Sequence, residues 1–265
     1  NIKRNSVNVL SLSSEDFNIQ FGKSNASGGK FSRLSLKRAV DFLKNSMIDG
    51  LVTGPINKNN IQNSDFYYKG HTDFLDTCFN GDALMFMISS KIKIALLTEH
   101  IPINEVVDEI TVDLIKNRIK IVENSLKHDF QINKPKIALL SINPHVGDGG
   151  IIGKHDDIVL GPSIQQALKS GVDISGPFAS DSFFGTGMYK YYDAIIAAYH
   201  DQGLIPFKTL TFGNGVNFTA GLNIVRTSPD HGTAYDIAGK NIANPSSFSS
   251  AILEALNIIK NRKKN

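Results

Sequence analysis

Hydrophobic positions along the chain change between helical and strand-like spacing. Apolar side chains between residues 36 and 47 recur every three or four positions, which predicts an amphipathic helix that ends before Asp49-Gly50. A short apolar run at 51–53 follows, and Gly54-Pro55, a pair typical of a loop, closes it. This region is therefore predicted to form a helix and then a strand.

Three further apolar runs have the length of strands, at residues 92–98, 137–142 and 194–198. Helical spacing is present at 111–127, between the first two runs, and at 247–259, where it predicts a closing amphipathic helix. Strands that are apolar almost throughout are typical of parallel sheets covered by helices on both faces. The pattern predicts an α/β fold built from βαβ units.

The composition narrows the choice of partner. A chain of 265 residues with 41% hydrophobic residues can bury one or two cores without disulfides. Its 28 Lys and Arg and 25 Asp and Glu are interspersed apart from a basic stretch at 260–264, and no basic stripe is interleaved with aromatics. No apolar run approaches the 18 or so residues that cross a bilayer. We expect a small-molecule ligand, with no nucleic acid and no membrane as partner.

The cysteine content and the first residues bear on the compartment. Cys78 is the only cysteine, so no intramolecular disulfide can form. Residues 1–13 lack the charged-then-apolar order of a signal peptide. We therefore expect a cytoplasmic location. Because the chain begins with Asn1 rather than Met, we also expect a further segment upstream.

Histidines follow three of the predicted strands. His100, His145 and His200 each come just after the carboxyl end of a strand. In open α/β sheets the ligand crevice lies outside these ends, so separate strands can deliver side chains to one point. Three imidazoles with open positions are typical of a catalytic divalent metal. For each histidine, a hydrogen-bonded loop position is the alternative.

Polar and cationic residues follow His200. Lys208, Asn217 and Arg226 include two cations that can face an anion, since Arg grips phosphate or carboxylate through parallel hydrogen bonds and Lys can exchange a proton. Surface cations without a ligand are the alternative. His71 lies in the polar segment 69–73, which is either a binding loop or a helix start.

Common nucleotide-binding fingerprints are absent. No G-x-G-x-x-G joins the first strand to a helix, the glycines at 147–150 and 213–215 do not continue into one, and residues 54–58 do not form a Walker loop. A Rossmann or P-loop assignment is unsupported.

Seven long motifs occur in one order between residue 50 and the C-terminus. They are LVTGPINK (51–58), GHTDF (70–74), LTEHIP (97–102), NPHVGDGG (143–150), GPFASD (176–181), YHDQG (199–203) and RTSPDHGT (226–233). In this set and order the sequence resembles the 4-hydroxythreonine-4-phosphate dehydrogenase family of pyridoxal phosphate biosynthesis.

The resemblance implies roles for named residues. It implies a divalent metal, Zn, Mg or Co, on His100, His145 and His200, and substrate contacts from His71, Thr72, Lys208, Asn217 and Arg226. We expect Lys208 to be the catalytic proton relay if the adjacent cation lowers its pKa. Asp181 and Asp201 are expected either to orient metal ligands or substrate, or to cap helices.

A wider similarity concerns the cofactor. Residues 230–245 resemble the adenosine-side loop of the isocitrate and isopropylmalate dehydrogenases, which lack the Rossmann fingerprint. This implies that His231 and Asn244 contact NAD or NADP.

The resemblance also implies an architecture. We expect the two-lobed α/β/α fold of the isocitrate and isopropylmalate dehydrogenases, with the active site in the cleft between the lobes. The lobes are predicted at 1–70 with 240–265, and at 71–239. Family members begin with a glycine- and proline-rich segment and further strands and helices that this sequence does not contain, so the first lobe is expected to lack its N-terminal part. A homodimer with the active site at its interface is implied as well.

The implied reaction is the oxidation of 4-phosphooxy-L-threonine, followed by decarboxylation to 3-amino-1-hydroxyacetone 1-phosphate in vitamin B6 synthesis. Two alternatives stay open. One is a sister dehydrogenase of threonate or erythronate 4-phosphate. The other is a metal- and phosphate-binding protein without catalysis.

Overall fold

The computed structural model describes residues 3–15 and 19–264. Its first helix, α1 (Ala26–Lys44), begins where the side chain of Asn25 accepts a hydrogen bond from the backbone N–H of Gly28. Strand β1 (Leu51–Val52) follows. The predicted helix and strand are confirmed, but the helix ends before Met47, which was placed on its apolar stripe and is 64% exposed.

The remaining elements follow in chain order. The helices are α2 (Lys58–Ile61), α3 (His71–Phe79), α4 (Val106–Glu109), α5 (Val112–His128), α6 (Gly161–Lys169), α7 (Ser180–Gly185), α8 (His200–Thr211) and α9 (Ser246–Arg262). The strands are β2 (Leu84–Ile88), β3 (Lys93–Leu96), β4 (Lys136–Leu140), β5 (Asp173–Phe178), β6 (Ala194–Ala197), β7 (Val216–Ala220) and β8 (Arg226–Pro229). Each of the predicted runs at 92–98, 111–127, 137–142, 194–198 and 247–259 forms the expected type of element.

The strands form one eight-stranded sheet in the order β1-β8-β7-β2-β3-β6-β4-β5. Strands β3, β6 and β4 are parallel neighbours, as predicted, and β5, which was not predicted, pairs parallel with β4. Strand β2 pairs antiparallel with β3 and with β7, and β7 pairs antiparallel with β8. The α/β class is confirmed, and the sheet is mixed rather than wholly parallel.

Helices cover the two faces of the sheet unequally. One face packs on α5, α6 and α9 through a large apolar cluster. The opposite face is covered by α7 and α8, whose Phe183, Leu204 and Phe207 pack on β3, β4 and β6. Over β7 and β8 this second face carries polar side chains, including Asn217 and Arg226, and lies open to a cleft. The open part of the sheet is where a ligand has room to bind.

A third apolar cluster joins α1 and α2 to α3, through buried residues such as Leu36, Ile61 and Phe74. The cluster spans the predicted boundary at residue 70, and the two lobes stay a prediction. Residues 1, 2, 16–18 and 265 of the predicted first lobe lie outside the described residues. Within the described ranges, no helix is both long enough and apolar enough to cross a membrane.

Candidate active site

A cleft of about 750 Å³ lies between the α2–α3 segment, the open face of the sheet and one side of α8. Eight of the ten predicted site residues line it, namely His71, Thr72, His100, His200, Lys208, Asn217, Arg226 and His231. His145 and Asn244 do not. Most of the residues chosen from sequence motifs therefore share one cavity.

His100 and His200 lie side by side because β3 and β6 are parallel neighbours that end at the same edge. Their ring centroids are 5.7 Å apart. Nδ1 of His200 lies 2.7 Å from Oδ1 of Asp201, which leaves Nε2 free for another ligand. Burial, followed by the charges of Lys58, His200 and Lys69, lowers the pKa of His100. Neutral imidazole is the form of histidine that binds a metal.

His145 follows β4 as predicted but is exposed and does not line the cleft that holds this pair. Residues 145–149 all have positive φ, which forms a left-handed turn. Ile142 and Asn143 precede this turn, and their backbone N–H groups donate hydrogen bonds to the buried carboxylate of Asp156. Across residues 3–15 and 19–264, no group of three His, Cys, Asp or Glu side chains is placed to hold a metal. The chain thus brings together two of the three predicted ligands.

Arg226, the first residue of β8, is 3% exposed. Its Nε and Nη2 donate to Oγ1 of Thr53, and its Nη1 donates to Oγ1 of Thr219. No described carboxylate pairs with it, and desolvation lowers its pKa to about 10. A buried cation without a counterion is costly, so an anion in the cleft is its natural partner.

Asn217 on β7 pairs with Ser228 on β8 and faces the same cleft. Its Oδ1 is buried and has no hydrogen-bond partner among the described side chains and backbone. Buried polar atoms are nearly always satisfied, and an orphan in a cleft marks a place where a ligand group binds. Asn217 and Arg226 together make this part of the sheet face a polar binding surface.

His71 opens α3, and Thr72 follows it. Burial, assisted by the charges of Arg226 and Lys58, lowers the pKa of His71 to about 3. The imidazole is therefore neutral near pH 7. It offers a hydrogen bond to a ligand but no positive charge.

Lys208, in the last turn of α8, forms an ion pair with Asp230, with 3.2 Å between Nζ and Oδ1. The backbone N–H of Asp230 donates to Oγ of Ser247, which holds the residue just after β8. Burial raises the pKa of Asp230, and Lys208 opposes that shift. A Cβ at Gly215 would lie 2.8 Å from Oδ2 of Asp230, so only glycine leaves room for this carboxylate.

The two predicted cofactor residues lie apart from the centre of the cleft. His231 is exposed at its rim, with Nδ1 3.0 Å from the carbonyl oxygen of Gly232. Asn244 accepts a hydrogen bond from the backbone N–H of Ser246 at the start of α9. Their role toward a nicotinamide cofactor stays a prediction.

Sequence reasoning gave no role to several charged residues that line the cleft, among them Lys58, Glu99 and Asp230. Glu99 is largely buried, accepts a hydrogen bond from the backbone N–H of Met85, and has a pKa raised by burial. All three lie within the family motifs, and this position was the sequence signal that could have marked them as candidate site residues.

One protein family has a sequence profile that matches residues 1–255, and it is described as pyridoxal phosphate biosynthetic protein PdxA. The chain belongs to the PdxA family. A Bacteroides thetaiotaomicron relative named 4-hydroxythreonine-4-phosphate dehydrogenase is 42% identical over 262 residues, which are 98% of this chain and 72% of the relative. The recognition from motifs is confirmed, and with it the assignment to a family of oxidoreductases.

Two further PdxA-family comparisons extend this result. The crystal structure of 4-hydroxythreonine-4-phosphate dehydrogenase from Klebsiella pneumoniae is similar with a TM-score of 0.78 and 31% identity, covering 90% of this chain and 72% of that one. A Cutibacterium acnes relative, provisionally named D-threonate 4-phosphate dehydrogenase, is 40% identical over 88% of this chain and 68% of its own length. Similar chains thus carry names for two related phosphorylated substrates.

Proposed function

We propose that this chain catalyses the metal-dependent, NAD- or NADP-linked oxidation of 4-phosphooxy-L-threonine and the decarboxylation that yields 3-amino-1-hydroxyacetone 1-phosphate, in pyridoxine 5′-phosphate biosynthesis. The observation that carries the proposal is one cleft that holds a buried, unpaired Arg226 together with the imidazole pair of His100 and His200. Arg226 suits an anionic substrate, and the imidazole pair suits the metal that such an oxidation uses.

The substrate is bound by the polar face of the cleft. Three of the five N–H groups of Arg226 are used by Thr53 and Thr219, so two remain for a phosphate or carboxylate. Asn217, neutral His71 and Thr72 add hydrogen-bonding groups without further charge. This set favours a small anion over an apolar ligand.

His100 and His200 fit two ligand positions of a divalent cation such as Zn, Mg or Co, since both are imidazoles near one point and Asp201 orients the second. A bound metal would supply a Lewis acid that favours the ionised form of the substrate hydroxyl. Because His145 does not line the cleft of its own chain, we assign the third position to His145 of the partner subunit, in a homodimer with active sites at the interface.

Hydride transfer is the chemistry of the nicotinamide, which the protein only has to position. His231 at the rim of the cleft, and Asn244 beyond it, are the proposed contacts of the adenosine half. Lys208 is the proposed proton relay, because its ammonium is half-exposed at the cleft wall and is held there by Asp230.

The assay of function follows NADH absorbance with 4-phosphooxy-L-threonine and NAD, using chelated protein with and without added Zn or Mg. We expect NADH to form only after metal is restored. A lack of NADH under every metal condition, with NADP as well as NAD, would contradict the proposed reaction.

Asp230→Asn is expected to lower kcat about 10- to 100-fold with little change in KM. The amide preserves the shape of the side chain but no longer holds the ammonium of Lys208 by charge, and misplaced catalytic groups lose rate on this scale. Steady-state kinetics with varied substrate checks the split between kcat and KM.

The matched control is Asp49→Asn, which breaks the ion pair between Asp49 and Lys263 outside the cleft. This variant should behave as wild type. Equal kinetics for Asp230→Asn and Asp49→Asn would show that Asp230 does not position Lys208 for catalysis.

A second candidate function has support from the relative with the D-threonate 4-phosphate name. The two substrates differ in having an amine or a hydroxyl beside the carboxylate. Comparing kcat/KM for 4-phosphooxy-L-threonine with that for threonate and erythronate 4-phosphate decides between them. Binding of either compound without NADH formation would identify the non-catalytic alternative.

A further inference from the structure

Gln202 belongs to the YHDQG segment, and the cleft by itself suggests no role for it. It is the third residue of α8, the helix that begins at His200. Its Oε1 accepts a hydrogen bond from the backbone N–H of Ala198, at 2.6 Å. Glutamine at the third position of a helix often reaches back in this way, so this contact caps the helix. It fixes the segment between β6 and α8 that carries His200.

The amide nitrogen of Gln202 makes two contacts that a cap does not need. Nε2 donates to the carbonyl oxygen of Ser141, the residue after β4, and to Oγ of Ser180, the first residue of α7, both at 2.7 Å. A side-chain amide has two N–H groups, so both are used. This single side chain therefore joins the segments that follow β6 and β4 to the start of α7.

Ser141 connects Gln202 to the turn that carries His145. It is 1% exposed, and its Oγ donates to the carbonyl oxygen of Asn143, at 2.9 Å. Asn143 lies two residues before His145, and its backbone N–H and side-chain amide both donate to the carboxylate of Asp156. The base of the turn is thus fixed to α8, while the His145 side chain at its start is exposed.

We infer that Gln202 is a positioning residue for two active sites of a dimer, holding His200 for the site of its own chain and His145 for the site of the partner subunit. The carbonyl oxygen of its side chain does the first, and its two N–H groups do the second. The inference rests on the proposed function, in which His145 completes the partner's site, and it names the side chain that joins the two sites. Gln202 acts through these histidines, since hydrogen-bonding partners near a ligand fix its orientation.

Gln202→Glu separates the two roles. The carboxylate still caps α8, and the hydroxyl of Ser180 can rotate and donate to it. The carbonyl oxygen of Ser141 has no hydrogen to donate, so it meets an acceptor where it met a donor. The variant should displace the turn of His145 and leave the segment of His200 in place.

Calorimetric titration of the chelated protein with Zn gives a readout that does not need turnover. Gln202→Glu should lower the Zn affinity about 10- to 100-fold, the scale for hydrogen-bonding partners of metal ligands. Gln166→Glu, the same change at an exposed residue of α6, is the matched control and should bind Zn as wild type does. Wild-type affinity in Gln202→Glu would overturn the inference, and so would an affinity that falls in this variant but not in His145→Ala. If wild type forms no NADH but Gln202→Glu and His145→Ala both lose Zn affinity, the proposed reaction fails and the positioning role stands.

Subunit mixing assigns the effect to one of the two sites. After random exchange between Gln202→Glu and His200→Ala chains, each heterodimer has one site that combines the first chain's His200 with the second chain's undisturbed His145. About a quarter of the sites should then be active. In the mixture of Gln202→Glu with His145→Ala no site combines the two, and activity should not exceed that of Gln202→Glu alone.

General destabilisation would lower the activity of both mixtures to the same extent, so equal activities would overturn the inference. Ser141→Ala removes the hydroxyl that donates to Asn143 and adds no charge. It should show the same difference between the mixtures in weaker form, and it takes the place of Gln202→Glu if that protein does not fold. Equal activities of the two Ser141→Ala mixtures would overturn the inference in the same way.

Discussion

Arg226→Met is expected to raise KM for the phosphorylated substrate at least about 100-fold, since truncating one partner of a buried, hydrogen-bonded charge pair costs roughly 2–5 kcal/mol. Arg226 is almost wholly buried, and its guanidinium is held by Thr53 and Thr219 rather than by a carboxylate. Methionine keeps an unbranched apolar stem in the same space but offers no donor to an anion. Steady-state kinetics and phosphate calorimetry measure the loss.

The same substitution should leave the melting temperature unchanged or raise it. In the absence of ligand, the desolvated cation is a cost to the folded state, and its removal relieves that cost. Arg33→Met is the control, because Arg33 donates to the backbone carbonyl of Ile61 outside the cleft. It should lower the melting temperature and leave KM near wild type. A wild-type KM in Arg226→Met would contradict the assignment of Arg226 as a substrate-binding residue.

Single replacements of His100 and His200 by alanine should each lower metal affinity and metal-dependent kcat by more than about 100-fold, because even partners of metal ligands are worth 10- to 100-fold. The two imidazoles lie side by side in the cleft, with ring centroids 5.7 Å apart. Metal titration of the chelated protein, followed by calorimetry, measures the affinity directly. His128→Ala, at an exposed histidine of α5, is the control and should bind metal as wild type does. Wild-type metal affinity in both cleft variants would disprove the site.

Subunit mixing tests the third ligand. If His145 completes the site of the partner subunit, His145→Ala and His200→Ala proteins are each inactive, but a heterodimer of the two contains one intact site. With random exchange of subunits in a two-fold dimer, about a quarter of the sites are restored. Activity that stays absent after mixing would place His145 in the same site as His200 of its own chain, and an active His145→Ala protein would place it outside the site.

Three of the strands that the sequence pattern predicted, β3, β4 and β6, lie in the part of the sheet that is covered on both faces. Apart from the lysine that begins β3 and the one that begins β4, their residues are buried and apolar. Strands β2, β5, β7 and β8 were not predicted, and of these β7 and β8 have one face that borders the cleft. Residues such as Asn217, Arg226 and Ser228 interrupt the apolar run there. The function of this sheet face is therefore also the reason for its weak strand signal.

In the candidate site, too, the sequence predicted one part of the arrangement and not another. The proximity of His100 and His200 could be predicted, since each follows a strand and parallel neighbouring strands end at one edge of the sheet. The position of His145 outside the cleft lining could not be predicted, because no local pattern indicated the left-handed turn that the backbone forms after β4. The pairing of Lys208 with Asp230 also required the tertiary structure, since it joins the end of α8 to the end of β8.

The sequence by itself determined the α/β class, the PdxA family and a set of residues of which most line one cleft. These follow from local spacing and from long ordered motifs. Only the tertiary structure decided that Arg226 is buried without a counterion, that Asn217 has an unsatisfied acceptor and that Lys58 faces the same space. Burial and ion pairing depend on contacts between distant segments, as in the hydrogen bonds of Arg226 to Thr53, 173 residues away, and no local pattern encodes them.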